Sequence, residues 1–120
     1  MPTSDSATVA RTYHDAWTSG RFDDAAALLA DDLQVEVPIN AYATRAAFAD
    51  AVRAFGSMTR EVRLLSALHD ADEAMLLYDM TVDGLGTLRV AEHFTIVGGR
   101  ITRLRQVHDT APIRAAGLGA

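Results

Sequence analysis

The sequence predicts an α+β domain in which three helices precede an antiparallel meander. Apolar residues recur at helical spacing through the first half and alternate through the second. Turn-forming clusters, Asp70-Ala71-Asp72, Asp83-Gly84-Leu85-Gly86 and Gly98-Gly99, cut the second half into runs of strand length.

The first helix is expected from Ser6 to Ser19, capped by Ser4, Asp5 or Ser6 and stopped by Gly20. Its apolar stripe is Val9, Tyr13, Ala16 and Trp17. A second helix follows at once and ends near Ala30. Its buried face is Phe22, Ala26 and Leu29, with Asp23 and Asp24 suiting the positive end of its dipole. Leu33 to Val37 alternates as a short strand closed by Pro38. Helix three starts after Thr44, presents Phe48, Val52 and Phe55, and stops at Gly56. Four strands then read as Arg60–Leu68, Ala74–Val82, Thr87–Val97 and Arg100–His108. One domain spans residues 1–120, with a core at about 6–109. The tail, 110–120, offers Ile113 and Leu118 for burial, and is expected to be mobile or held by a partner subunit.

Composition narrows the function. With 49% hydrophobic residues the chain can build a core. Its net charge is −5, and all its 11 basic residues are arginines, which argues against a nucleic-acid partner. There is no cysteine, so no thiolate nucleophile and no cysteine metal site. The first residues lack a basic and an apolar region, and no apolar run reaches the ~18 residues that span a bilayer. A cytoplasmic protein without a membrane role is expected. His14, His69, His93 and His108 show no metal-ligand spacing, and no phosphate loop or Gly-x-Ser-x-Gly occurs. Neither a metal nor a cofactor is expected.

The most informative residue is Glu92. Alternation places it on one strand face with Leu88, Val90, Phe94 and Ile96. A carboxyl on an apolar face costs several kcal/mol unless it is paired, protonated or wet. It is either a pocket acid or a solvated glutamate on an edge strand. Tyr13 is a second polar group on an apolar stripe, and Trp17, one turn later, faces the same way, as core or as a stacking surface. Tyr78 alternates with Leu76, Met80 and Val82, so its hydroxyl needs a partner that a ligand would supply. Leu104, Gln106 and His108 share the inward phase of the last strand, and His108 is able to carry protons near neutrality. Asn40 sits in the loop after Pro38, as a turn former or as a hydrogen-bonding group at a pocket mouth. Asp15 is expected to be solvated. His93 and the arginines between Arg100 and Arg105 are expected on the opposite face.

The words Tyr13-His14-Asp15-Ala16-Trp17-Thr18-Ser19-Gly20-Arg21-Phe22-Asp23 and Leu29 to Pro38, with the closing hairpin Glu92-His93-Phe94 … Gly98-Gly99-Arg100-Ile101, resemble the nuclear transport factor 2-like superfamily. That superfamily includes SnoaL-type polyketide cyclases, limonene epoxide hydrolase, scytalone dehydratase and ketosteroid isomerase. The resemblance implies a strongly curved sheet wrapped by the helices into a cone, an apolar cavity at one end, and a homodimer. Placed on ketosteroid isomerase, Tyr13 and Glu92 fall on the oxyanion-hole donors, the acid being kept neutral by an apolar site. The aspartate base of that enzyme falls on Val37, so the base is missing, and Val37 becomes a lining residue. Gln106 stands near an aspartate of the epoxide hydrolases.

Three functions follow as expectations. The first is a cofactor-free acid–base enzyme (isomerase, cyclase, dehydratase or epoxide hydrolase) for an apolar polyketide, terpenoid or steroid-like molecule, with Tyr13, Glu92 and His108 catalytic. Trp17, Val37, Asn40, Tyr78 and Gln106 would then bind the substrate. The second is a protein that binds such a molecule without turning it over. The third is a protein-interaction scaffold.

Overall fold

The computed structural model describes residues 5–117. Its elements are α1 (Asp5–Thr18), α2 (Phe22–Ala26), β1 (Leu29–Glu36), α3 (Arg45–Met58), β2 (Thr59–Asp70), β3 (Glu73–Val82), β4 (Gly86–Val97), β5 (Arg100–Val107) and α4 (Ala111–Ala115). Ser4, a candidate cap of α1, and Leu118 lie outside the described residues, whereas Asp5 and Ser6 fall inside the helix.

The five strands form one sheet in the order β1-β5-β4-β3-β2. The four later strands are an antiparallel meander, and β1 joins its far edge parallel to β5. Strand alternation decides which face is buried. Leu76, Tyr78, Met80 and Val82 on β3, Leu88, Val90, Glu92, Phe94 and Ile96 on β4, and Leu104 on β5 are all buried. Helix α1 covers this face along β2, β3 and β4, and α3 covers it at β1.

Three local expectations need correction. The second helix ends at Ala26, short of Ala30, because Leu29 and Ala30 already belong to β1. There Leu29 pairs with Ile101 and is 1% exposed, so sheet burial overrides helical spacing. Ala25, and not Ala26, is the buried residue of α2. Helix α3 begins as read, with the Thr44 hydroxyl accepting from the Ala47 N–H at 3.1 Å, but it runs through Gly56 to Met58. Gly56 is there for space: a Cβ on it would lie 2.4 Å from the Phe22 ring. By contrast Gly20, after α1, has φ 83° and does stop its helix.

The outer sheet face carries paired charges. Arg105 donates to Glu36 at 3.0 Å and Arg89 to Asp79 at 2.7 Å, and His93 meets Glu73 at 2.8 Å. Asp15 is exposed. The tail folds into α4, with Pro112 in its first turn and Ile113 buried. No helix among the described residues is long and apolar enough to cross a membrane.

Candidate active site

A cavity of about 110 Å³ lies between the inner sheet face and helices α1 and α3. Each element contributes by its own periodicity. Helix α1 supplies Tyr13 and Trp17, one turn apart. Strand β3 supplies Tyr78 and Met80, β4 supplies Leu88, Val90 and Glu92, and β5 with the residue beyond it supplies Gln106 and His108. All eight residues singled out in the sequence, Tyr13, Trp17, Val37, Asn40, Tyr78, Glu92, Gln106 and His108, line this one space. The sequence reading missed three contributions. Phe48, Val52 and Phe55 form an apolar stripe on α3 that reads as plain core. Ile39 and Tyr42 lie in the loop beyond Pro38, where no periodicity marks a side chain's direction. Ile113 reaches the cavity from α4, in a stretch that reads as a tail.

Glu92 is the chemical centre. It is 1% exposed, yet it is paired. Tyr78 Oη donates to its Oε1 at 3.2 Å, and Gln106 Nε2 donates to its Oε2 at 2.6 Å. Burial pushes the carboxyl up from the ordinary 4.5 to about 7, against the two hydrogen bonds, which pull it down. Glu92 therefore exchanges a proton near neutrality, where a group is best poised for acid–base work.

Tyr13 is not hydrogen-bonded to Glu92. Its ring packs edge-on against Phe94, with centroids 5.8 Å apart, and its hydroxyl has no side-chain partner among the described residues. Burial, and then the nearby Glu92 charge, hold its phenol well above 10, so it stays a donor. The Tyr78 phenol is raised for the same two leading reasons. The partner that Tyr78 required is thus Glu92 itself. Asn40 has φ 70°, is exposed at the cavity mouth, and donates to the Tyr42 hydroxyl at 3.5 Å. Val37 offers no proton-transfer group at the place of the isomerase base.

One buried histidine escaped the sequence reading. His14 is 3% exposed and packs against the rings of Tyr78 and Trp17, with centroids 4.9 and 5.7 Å away. Burial drives its pKa down from 6.5 to about 4, so it is neutral at pH 7. Among the described residues no cluster of three or more His, Cys, Asp or Glu converges on a common point.

Four helices with a five-stranded mixed sheet, and an inward carboxyl in a mostly apolar cavity, form an NTF2-like fold. The chain belongs to the SnoaL-like domain family, which matches residues 10–104. A protein from Kribbella flavida DSM 17836 is 31% identical, with 96% of this chain and 95% of that one covered and a TM-score of 0.89. Two others share the fold at lower identity. An NTF2-like protein from Cytophaga hutchinsonii is 15% identical, with 95% and 99% covered and a TM-score of 0.78. An LEH-like epoxide hydrolase of M. tuberculosis is 20% identical, with 93% and 88% covered and a TM-score of 0.74. No curated protein matches the chain.

Proposed function

We propose that this protein is a cofactor-free acid–base enzyme acting on an apolar small molecule, of the isomerase, cyclase, dehydratase or epoxide hydrolase kind. The observation that carries this reading is Glu92, a buried carboxyl titrating near 7 in a cavity whose other walls are mostly apolar and aromatic. Tyr13 supplies a phenol without a side-chain partner among the described residues in the same space, suited to hold an oxygen of the substrate. His108, at the end of β5, is the candidate for passing the proton on. The aromatic walls suit a polyketide, terpenoid or steroid-like skeleton better than a sugar. A homodimer through the outer sheet face accompanies this reading; Met75 and Val107 there are 43% and 69% exposed.

The test is turnover of a panel of apolar ketones and epoxides, with products followed by mass spectrometry. Glu92→Gln is expected to lower the rate about 10²-fold or more. Equal turnover by the variant would remove Glu92 from the chemistry. Val37 favours a second reading, a protein that binds the molecule without converting it. Tight binding with no product from any panel member would select that reading.

A further inference from the structure

In the isomerase that the sequence resembles, the strand acid is kept neutral so that it donates a hydrogen bond. The arrangement around Glu92 is of the opposite kind. A carboxyl has one proton to give, and here two donors approach it, one on each oxygen. The Gln106 contact carries the argument: its amide N–H is the group turned toward Glu92, and an N–H donates and does not accept. At 2.6 Å the contact is short for an N–H donor, in the sense a charged acceptor produces. Cross-strand register fixes this geometry: Gln106 stands directly opposite Glu92 in the β4–β5 pair. Tyr78 reaches the other oxygen from β3, its ring held between Trp17 and His14. Meanwhile Tyr13, on the facing helix, lines the cavity with a hydroxyl that has no side-chain partner among the described residues.

We propose that Glu92 is the proton acceptor of this site, that Gln106 and Tyr78 are the residues that position it as a carboxylate, and that Tyr13 alone donates to the ligand's oxygen. This rests on the acid–base reading and gives it a direction. A proton on a ligand carbon beside a carbonyl passes to a Glu92 oxygen. The bonding pair it leaves shifts toward the carbonyl oxygen, where the Tyr13 O–H meets the new charge. Return of the proton from Glu92 to another ligand carbon restores the carboxylate, so atoms and charge balance with no co-reactant. The titratable groups facing Glu92 are Tyr13 from α1, Tyr78 from β3 and, at the same cavity wall, His108 after β5. Among the described residues no arginine lines the cavity. The carboxylate is therefore held by neutral donors, and an uncharged ligand suits the site better than an anionic one.

The test is a carbon-13 NMR titration of the Glu92 side-chain carboxyl in the full chain, for the wild type, Gln106→Leu and Tyr78→Phe. Removing a donor to the carboxylate is expected to raise the midpoint by about one pH unit in each variant. A midpoint that stays or falls in Gln106→Leu would overturn the proposal. Should that variant not fold, the wild type still decides. The Gln106 side-chain N–H resonance is expected to move downfield with the Glu92 midpoint, and a flat trace would overturn the proposal equally. Failure here is distinct from failure of the enzyme reading. If Glu92→Gln loses turnover while the titration goes the wrong way, Glu92 is a donor in a working enzyme.

Discussion

Gln106 faces Glu92 across the β4–β5 pair, its amide 2.6 Å from the carboxyl, while the Tyr78 hydroxyl takes the other oxygen at 3.2 Å. The acid is thus deeply buried, with one donor already on each oxygen before any ligand arrives. Two opposed forces set its ionisation, with burial raising it and the two donors lowering it, to about 7. A catalytic carboxylate of this kind gives a pH profile with a defined sense. For any substrate that is turned over, kcat/KM is expected to rise with pH through about 7 and level off above it. A fall across the same window, measured in steady-state assays between pH 5 and 9, would mark Glu92 as the acid.

Glu92 and His14 make opposite contributions to stability. Folding raises the Glu92 pKa from 4.5 to about 7, so its favourable contribution is complete below about 4.5 and lost as pH rises through 7. Folding lowers the His14 pKa from 6.5 to about 4, so its contribution is present above 6.5 and lost as pH falls toward 4. Each is worth roughly 3 kcal/mol by the size of its shift, and the windows overlap. Urea melts of the wild type are expected to vary little between pH 4.5 and 6.5. Glu92→Gln is expected to gain stability over that range as pH rises, and His14→Phe to lose it. Slopes of the same sign in the two variants would refute the compensation.

The cavity's polar residues were legible in the sequence because strand alternation is strict. One odd carboxyl among Leu88, Val90, Phe94 and Ile96 has only one direction to point, and Tyr78 and Gln106 follow from the same rule. The partnership among them was not legible. Alternation gives a face and the meander an order of strands, but neither gives the register, and the resemblance pointed to Tyr13 as the companion of Glu92. Register supplied the answer, Gln106 opposite and Tyr78 diagonal. His14 was hidden for another reason. Helix α1 buries a stripe wide enough to include the residue next to Tyr13, and a polar residue there reads as surface. The early end of α2 was hidden because Leu29 fits helical and strand patterns equally well.

Gly56 offers a test of packing at the cavity wall. A methyl group on it would fall 2.4 and 2.8 Å from two atoms of the Phe22 ring, closer than real contacts allow. Helix propensity alone would favour alanine by about 1 kcal/mol. The clash is expected to outweigh this, so that Gly56→Ala destabilises by about 1–3 kcal/mol in chemical denaturation. Phe22→Leu combined with Gly56→Ala is expected to recover part of the loss, a coupling that a double-mutant cycle reads directly. Additive effects of the two changes would contradict the contact.

Ile113 ties α4 to the cavity, and the other described residues of that helix are exposed or half-buried. A five-residue helix has little stability of its own, so its order rests largely on this one side chain. Ile113→Asp is expected to release α4 and open the cavity while leaving the sheet intact, because no strand pairing runs through α4. Hydrogen exchange would show faster exchange confined to residues near 111–117 and to the cavity rim. Global loss of protection would mean that α4 belongs to the core.

Tyr13 separates stability from function most cleanly. Its ring fills core space against Phe94, while its hydroxyl has no partner among the described residues and is kept protonated by burial and by Glu92. Removing a hydroxyl that has no hydrogen-bond partner among the described residues costs the fold little. Tyr13→Phe is therefore expected to fold with stability unchanged or raised by up to about 1 kcal/mol in thermal melts. The same variant is expected to lose much of its affinity for flat phenols and ketones, whose oxygen would take the Tyr13 proton. A ligand at 100 times its dissociation constant adds roughly 2.7 kcal/mol to stability, so the effect is large enough to read from melting curves alone. Equal stabilisation of wild type and variant by every such ligand would show that ligand oxygens are bound elsewhere, and the donor role would pass to another residue of the cavity. Stabilisation that vanishes only in the variant would fix Tyr13 as the group that receives the substrate's oxygen.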